Sequence, residues 1–521
     1  LGCRRREKEF FNPLPYFQGF NAHPMRLCRS PLVLLAVFLL GSCQTPENRP
    51  WQTTLPGVTS QSSPRATDLT GDGTADVVLG AGGPEWSPTE AGVVALDGAD
   101  GHLLWHRPAR NQVVGSALFQ DITGDGTPDV FIGGRSAELQ AIDGKSGALL
   151  WKFFKTTERD GARKAGWFNF FNGQWTPDAD GDGFRDLLIT NGGDAMAPPG
   201  MPRRPTGRVM LLSAKTGKIL QSAWVPDRRE TYCSPLLTDF GRKNGPLFVV
   251  FGTGGETLPG HLYVAPFSDL QIGNLTHAVA IDSGKRKGFV APPLLTDLTG
   301  DGVLDLLVNA VEGRTALFDG ATLRKRWEVS FPGAEAYTVP AVGLFTGDDA
   351  VPDVFVAYHL GTFPDFSEAV QVLIDGRTGQ VARTFRRGSF TYASPLTADL
   401  NGDGRDEALL VDLFDRFVRK DPKPYYRLRV FDFFREKIYS LGPEMPGANF
   451  ATTPWLGDLD GDGRLDLLTA GSPALVKTFP GNTTYQRPDL ALTVRRLVLP
   501  ISPKFVRLGA YMGTNGDGVC R

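Results

Sequence analysis

The sequence predicts an all-β fold, an eight-bladed β-propeller of four-stranded antiparallel blades whose ring is closed by an N-terminal strand pairing with the last blade. Three observations predict it. An Asp-rich loop between apolar strands recurs eight times, about every 56 residues, a period too long for one coil of a β-helix and suited to a four-stranded blade. A second motif, strand, polar turn, strand, lies between successive loops. Trp51 precedes the first loop by about the interval that separates Trp105 and Trp327 from the loops after them.

The loop copies are ATDLTGDGTADVVLG (66–80), FQDITGDGTPDVFIG (119–133), TPDADGDGFRDLLIT (176–190), LTDFGRKNGPLFVVF (237–251), LTDLTGDGVLDLLVN (295–309), VGLFTGDDAVPDVFVA (342–357), TADLNGDGRDEALLV (397–411) and LGDLDGDGRLDLLTA (456–470). The hairpins are VVALDGADGHLLWH (93–106), LQAIDGKSGALLWK (139–152), VMLLSAKTGKILQS (209–222), TALFDGATLRKRWE (315–328) and VQVLIDGRTGQVAR (370–383). Each repeat therefore holds one strand before the Asp loop, one after it and two in the hairpin. Trp51–Leu55 reads as a fourth strand with no three before it. It is expected to complete a last blade drawn from 452–521, which removes both open sheet edges. The tail 509–521 carries a partial Asp loop and either adds to this closure or frays.

Six loops keep the spacing D-x-[DNT]-x-D-G-x-x-[DE]. Oxygen ligands fall at positions 1, 3, 5 and 9, a backbone carbonyl at 7, and the glycines at 4 and 6 permit the curl. The sets are Asp68, Thr70, Asp72, Asp76; Asp121, Thr123, Asp125, Asp129; Asp178, Asp180, Asp182, Asp186; Asp297, Thr299, Asp301, Asp305; Asp399, Asn401, Asp403, Glu407; and Asp458, Asp460, Asp462, Asp466. An all-oxygen set suits a hard cation of flexible coordination, Ca²⁺, and lacks the Cys and His that softer metals prefer. Such an ion would relieve repulsion among neighbouring carboxylates and staple each blade's first hairpin, a structural role. The same residues also suit plain Asp–Gly turns held by side-chain-to-backbone bonds. Loop four retains only Asp239 and loop six only Asp348 and a shifted Asp353, so both are expected to hold no ion.

The Asp loop resembles the FG-GAP/VCBS repeat of integrin-α-like propellers and bacterial surface proteins, and the hairpin resembles the PQQ-like, quinoprotein-type blade repeat. The two motifs cover nearly all of 51–472. The resemblance implies a calcium-bearing propeller and is weak for activity.

Ahead of the repeats, 1–24 looks like upstream sequence, and 25–42 reads as a signal peptide with basic Arg26 and Arg29 and an apolar stretch, Pro31–Leu40, too short to span a bilayer. Leu40-Gly41-Ser42-Cys43 resembles a bacterial lipobox, which would make Cys43 the lipidated mature N-terminus, 43–50 a tether and 51–521 a single propeller domain. Under the sorting rule of some Gram-negative lipoproteins, which this segment resembles, Gln44 in place of Asp would permit passage to the outer membrane, on its periplasmic or surface side. A net charge of -2 gives no pull toward nucleic acid or anionic lipid, so membrane contact is expected through the anchor alone and the chain is expected to be a monomer. The five cysteines form no CxxC pair; Cys233 and Cys520 could bridge in an oxidising compartment.

Alternation of strands puts the Asp loops and hairpin turns on one face and the long connections 81–91, 155–175, 192–206, 254–260, 358–369 and 412–426 on the other, where a ligand is expected. Trp167, Phe168, Phe170, Phe171 and Trp175, beside a basic stretch, together with His359, are the candidate ligand contacts; the five aromatics would equally plug the space between blades two and three. Trp105, Trp151 and Trp327 read as blade-packing residues. No nucleophile elbow, P-loop, dinucleotide fingerprint or HExxH motif is present. The expected function is a non-enzymatic binding or scaffold protein for a glycan or an envelope or extracellular protein. The alternative is a propeller enzyme, a calcium-dependent polysaccharide lyase or, further off, a PQQ-dependent dehydrogenase; no catalytic residue is assigned.

Overall fold

The computed structural model describes residues 49–521 apart from 156–159, 195, 199–200, 348–349, 364, 389–391, 419–420, 450, 473–489 and 503–505. The signal segment, Cys43, most of the tether and Asp348 lie outside the described residues.

Eight antiparallel sheets follow one another down the chain, each ordered first, second, third, fourth strand. Blade one is Arg65–Thr67, Asp76–Gly80, Thr89–Leu96 and Leu103–Ala109. The first strands of blades two to seven begin at Leu118, Gln174, Leu236, Leu294, Ala341 and Leu396. Second strands such as Asp76–Gly80 and Asp129–Gly133 are buried throughout, because both faces of a blade pack on neighbouring blades. That is why they read as unbroken apolar runs. Fourth strands lie at the rim: Lys325–Ser330 is mostly exposed but buries Trp327.

Blade eight combines Trp455–Gly457, Leu465–Gly471 and Ala491–Leu499 with Trp51–Pro56 from the other end of the chain. The register runs from Trp51 opposite Arg496 to Pro56 opposite Ala491. The spacing of Trp51 is explained by a contact repeated around the ring. A fourth-strand tryptophan donates its indole N–H to a carbonyl in the hairpin turn of the next blade: Trp105 to Gly144 at 2.8 Å, Trp151 to Ala214 at 2.7 Å and Trp327 to Gly376 at 2.8 Å. Trp51 does the same from blade eight to Gly98 of blade one, at 2.8 Å. The ring closes as the sequence predicts.

Two features depart from the sequence reading. Segments 358–369 and 412–426 are not irregular loops. Blade six extends its second and third strands over Asp353–Thr362 and Asp365–Ile374, and blade seven over Glu407–Val418 and Asp421–Asp432. The tail does not join the closing sheet. Val506–Leu508 pairs with the first strand of blade seven, and the chain then crosses the first strands that surround the axis. Arg65 of blade one donates to Gly513 O at 3.3 Å, Gln174 of blade three to Gly516 O at 2.6 Å, and Leu295 N of blade five to Gly518 O at 2.7 Å. Gly518 packs on Leu236 of blade four, and Leu456 N of blade eight donates to Gly509 O at 2.7 Å. Cys233 and Cys520 are both free thiols. Helix among the described residues is confined to Gly161–Lys164 and Phe267–Gln271, and no described helix is long and apolar enough to cross a membrane.

Candidate functional sites on the two faces of the ring

Four of the six full Asp loops, those of blades one, two, three and five, share one hydrogen-bond plan. In loop three the position-1 carboxylate of Asp178 accepts the N–H groups of Gly181 at 2.7 Å and Gly183 at 2.9 Å. These glycines have φ of +78° and +92°, the left-handed region a side chain disfavours. The position-9 carboxylate is buried and reaches back: in loop five Asp305 accepts from Leu298 N and Thr299 N, both at 2.9 Å, and from Gly320 N of the blade's own hairpin turn at 2.9 Å. The Asp loop and the hairpin turn therefore share a face, and one carboxylate ties them together.

This plan holds the turns without an ion, yet it leaves carboxylates crowded. Ligand oxygens of Asp178, Asp180 and Asp186 lie within 4.8 Å of one another, as do those of Asp458, Asp460 and Asp466. Burial, and then the charges of Asp180 and Asp182, hold the Asp186 carboxyl above the ordinary carboxylate range, as unneutralised like charges should. In loop seven burial, with Asp432, Asp403 and Asp399 nearby, pushes Glu407 up to about 8. The donor set of loop three fits Ca²⁺; loops one, two and five offer Thr70, Thr123 and Thr299 at position 3 instead of a carboxylate. In loop eight Asp460 and Asp466 instead accept from the buried guanidinium of Arg496. Loop four keeps Asp239 as a turn acceptor for Gly241 N, and Asp353 of loop six accepts from Thr346.

The opposite face has a polar mouth on the axis, which sequence reasoning missed. Second strands of blades one to four end in a Gly-Gly step followed by a charged residue: Glu85 after Gly82-Gly83-Pro84, Arg135 after Gly133-Gly134, Asp194 after Gly192-Gly193, and Glu256 after Gly254-Gly255. The segments leading into blades four and six carry Glu230-Thr-Tyr232 and Glu335-Ala-Tyr337, and Tyr392 holds the matching place before blade seven. In both Glu-x-Tyr copies the phenol donates to the glutamate two residues earlier, Tyr232 to Glu230 at 3.1 Å and Tyr337 to Glu335. The Tyr232 ring needs glycine on both sides: a Cβ at Gly193 would lie 2.4 Å from it and one at Gly255 2.9 Å.

These groups converge. Arg135 pairs with Glu85 at 2.6 Å, Lys287 pairs with Glu335, and Arg204 lies 3.8 Å from Glu230. Glu256 is within electrostatic reach of Arg135, Lys287 and Arg204, and Tyr392 of Glu256, Glu335, Arg135 and Glu85. Tyr337 and Tyr392 meet edge to face at 4.9 Å. Burial raises Glu256 and takes Glu230 to about 7, Arg204 opposing and Glu256 adding.

Glu230 gives a pH prediction. Its folded-state value of about 7 lies above the ordinary 4.5, so the folded protein holds the proton longer than the unfolded chain. Its contribution is full below pH 4.5 and is lost as pH rises to about 7. Melting curves across that window should show Glu230→Gln losing less stability with rising pH than the parent; parallel slopes would refute the assignment.

The aromatics expected to bind ligand divide. Phe170 is fully buried, and Trp167 and Trp175 pack into the core between blades two and three, Trp167 against Phe153 at 5.0 Å and Trp175 against Phe131 at 5.1 Å. Their plugging role is the one realised. Phe168 is half-buried, its carbonyl accepting from Ala137 N and Asn191 Nδ2. Phe171 alone turns to the mouth, 6.1 Å from Tyr232 and 5.9 Å from the Arg135 guanidinium. His359 must be withdrawn as a ligand contact: it is fully buried between blades six and seven, and burial takes its imidazole down to about 3, so it stays neutral.

Comparison with known proteins agrees on the fold. A family model, the FAM234A/B β-propeller, matches residues 86–255. No curated protein matches. Among solved structures the chain is similar to the quinohemoprotein alcohol dehydrogenase ADHIIG from Pseudomonas putida HK5, at 13% identity and a TM-score of 0.51 over 86% of this chain and 75% of that one. It is also similar to a europium-containing methanol dehydrogenase, at 11% identity and a TM-score of 0.50 over 86% and 92%. BamB from Moraxella catarrhalis aligns at 11% identity, 86% of this chain and 98% of that one, with a TM-score of 0.43. At these identities the likeness concerns the fold alone.

Proposed function

We propose that the protein is a calcium-stabilised binding propeller, anchored to the cell envelope through Cys43, that holds a glycan at the polar mouth. The observation that carries this reading is the convergence on Glu256 of charged and phenolic side chains from blades one to four and from the segments leading into blades five to seven. Acids and bases are nearly balanced there, Glu85, Asp194, Glu230, Glu256 and Glu335 against Arg135, Arg163, Arg204 and Lys287. Fixed planar groups of both kinds match the vicinal hydroxyls of a sugar, and tyrosine rings offer faces to its C–H surface. Calcium acts on the other face, in the Asp loops, where it fixes the blades that present the mouth.

The test is binding of the calcium-loaded protein to immobilised envelope and plant-type glycans, with Glu256→Gln and Arg135→Ala as variants. Each should weaken binding at least about tenfold, the cost of one lost charged hydrogen bond. Capture of no glycan, or binding indifferent to both variants, defeats the reading. Release of unsaturated sugars would instead favour the lyase alternative, for which Arg135, Lys287 and Tyr232 place basic and phenolic groups in the same mouth.

A further inference from the structure

We infer that the eighth Asp loop holds no metal because the guanidinium of Arg496 is its resident cation and clasps the seam where the ring closes. Ion pairs to loop carboxylates occur, among the described residues, only in loops seven and eight. Loop seven has two, Arg435 to Asp403 at 3.1 Å and Arg507 to Asp406, and Asp406 stands outside the ligand positions. Loop eight has three. Arg496, 1% exposed, donates through Nε to Asp466 at 2.8 Å and through Nη2 to Asp460; Arg464 Nε reaches Asp462 at 2.5 Å. Positions 3, 5 and 9 are thereby taken, and only Asp458 is left to face a cation.

The topology explains why an arginine stands here. In blades one, two, three and five the second oxygen of the position-9 carboxylate accepts an N–H from the turn between third and fourth strands: Gly98 at 2.9 Å, Gly144 at 3.2 Å, Ala214 at 3.3 Å and Gly320 at 2.9 Å. Blade eight has no such turn, because its fourth strand comes from the chain's other end. Arg496 lies on the third strand opposite Trp51 and supplies the missing donor. Its third arm, Nη1, donates to Gly98 O of blade one at 3.1 Å, the carbonyl that Trp51 also takes. One buried fork thus joins blade eight to blade one. A planar, always-charged group suits this bridging better than an ion that would need six or more oxygens. Closure is therefore independent of calcium.

The ion count rests on the calcium reading above; the clasp does not. Bound calcium is measured by elemental analysis of the desalted full chain. Asp178→Asn should remove about one ion, Asp458→Asn none, and Arg496→Gln should add one. In chelator Arg496→Gln should melt about 5 °C below the parent and regain the loss with calcium. An ion lost in Asp458→Asn overturns the inference, and this arm decides alone if Arg496→Gln does not fold. If the parent binds no calcium at all, the calcium reading fails and the clasp is judged by the chelator melt: a fall upholds it, an unchanged melt overturns it.

Discussion

Chelation of divalent ions should lower the melting temperature of the full chain by on the order of 10 °C, and calcium but not magnesium should restore it. Each loop saturated at a hundredfold its dissociation constant gains about 2.7 kcal/mol. Several such loops together rival the 5–15 kcal/mol by which a typical domain is stable. The loops curl without an ion, since Gly181 and Gly183 already bond to Asp178, so the apo protein is expected to fold. What it lacks is relief of the charge gathered by Asp178, Asp180 and Asp186. Magnesium demands near-octahedral geometry and keeps its waters, which a loop presenting carboxylates, a backbone carbonyl and sometimes a threonine does not match. Calorimetry with Asp239→Asn as a control in the degenerate fourth loop reads the effect. An unchanged melt in chelator would mean that these are Asp–Gly turns and no more.

How much of this was legible in the sequence depends on whether a feature repeats. The Asp loops, hairpins and Trp51 recur at fixed intervals, and the structure returns them as eight sheets closed between the two ends of the chain. The long hairpins of blades six and seven were illegible because Gly361, Pro364, Pro422 and Pro424 break the strand pattern in local reading. Pairing with a neighbouring strand overrides that weak signal. The aromatic cluster after Phe153 looked like a binding surface because composition cannot tell a ring facing solvent from one facing the next blade. Phe170 against Phe153 at 4.9 Å is the second kind. The mouth was missed for a different reason: the second strands of blades one to four each give it one residue, and Glu85, Arg135, Asp194 and Glu256 differ in size and in sign of charge, so no single residue repeats at that place. The signal available was positional, a Gly-Gly step at the end of the second strand, and Glu-x-Tyr four residues before the next first strand.

Removal of residues 509–521 should be the most damaging change outside the sheets, because the tail completes the axis. First strands are the innermost of each blade, and their inward edges find no partner in a neighbouring sheet. The tail supplies one. Leu295 exchanges both its backbone groups with it, donating to Gly518 O at 2.7 Å and accepting from Cys520 N at 2.9 Å. Buried Arg65 donates to Tyr511 O and Gly513 O. Met512, 2% exposed, joins the core between blades four and five. Each buried polar group left without its partner costs about 1–3 kcal/mol, and unburying the methionine about 1.5–3 more. The sum exceeds roughly 5 kcal/mol, so the shortened chain should melt at least about 5 °C lower or aggregate. A synthetic peptide of the same sequence added in trans should recover the loss, which separates loss of the axial contacts from a general defect of the shortened chain. Full stability without the tail would mean that water satisfies Arg65 and Leu295 as well as the chain does. The axis would then be an open channel that the tail merely occupies, and the mouth above it would gain a second way in.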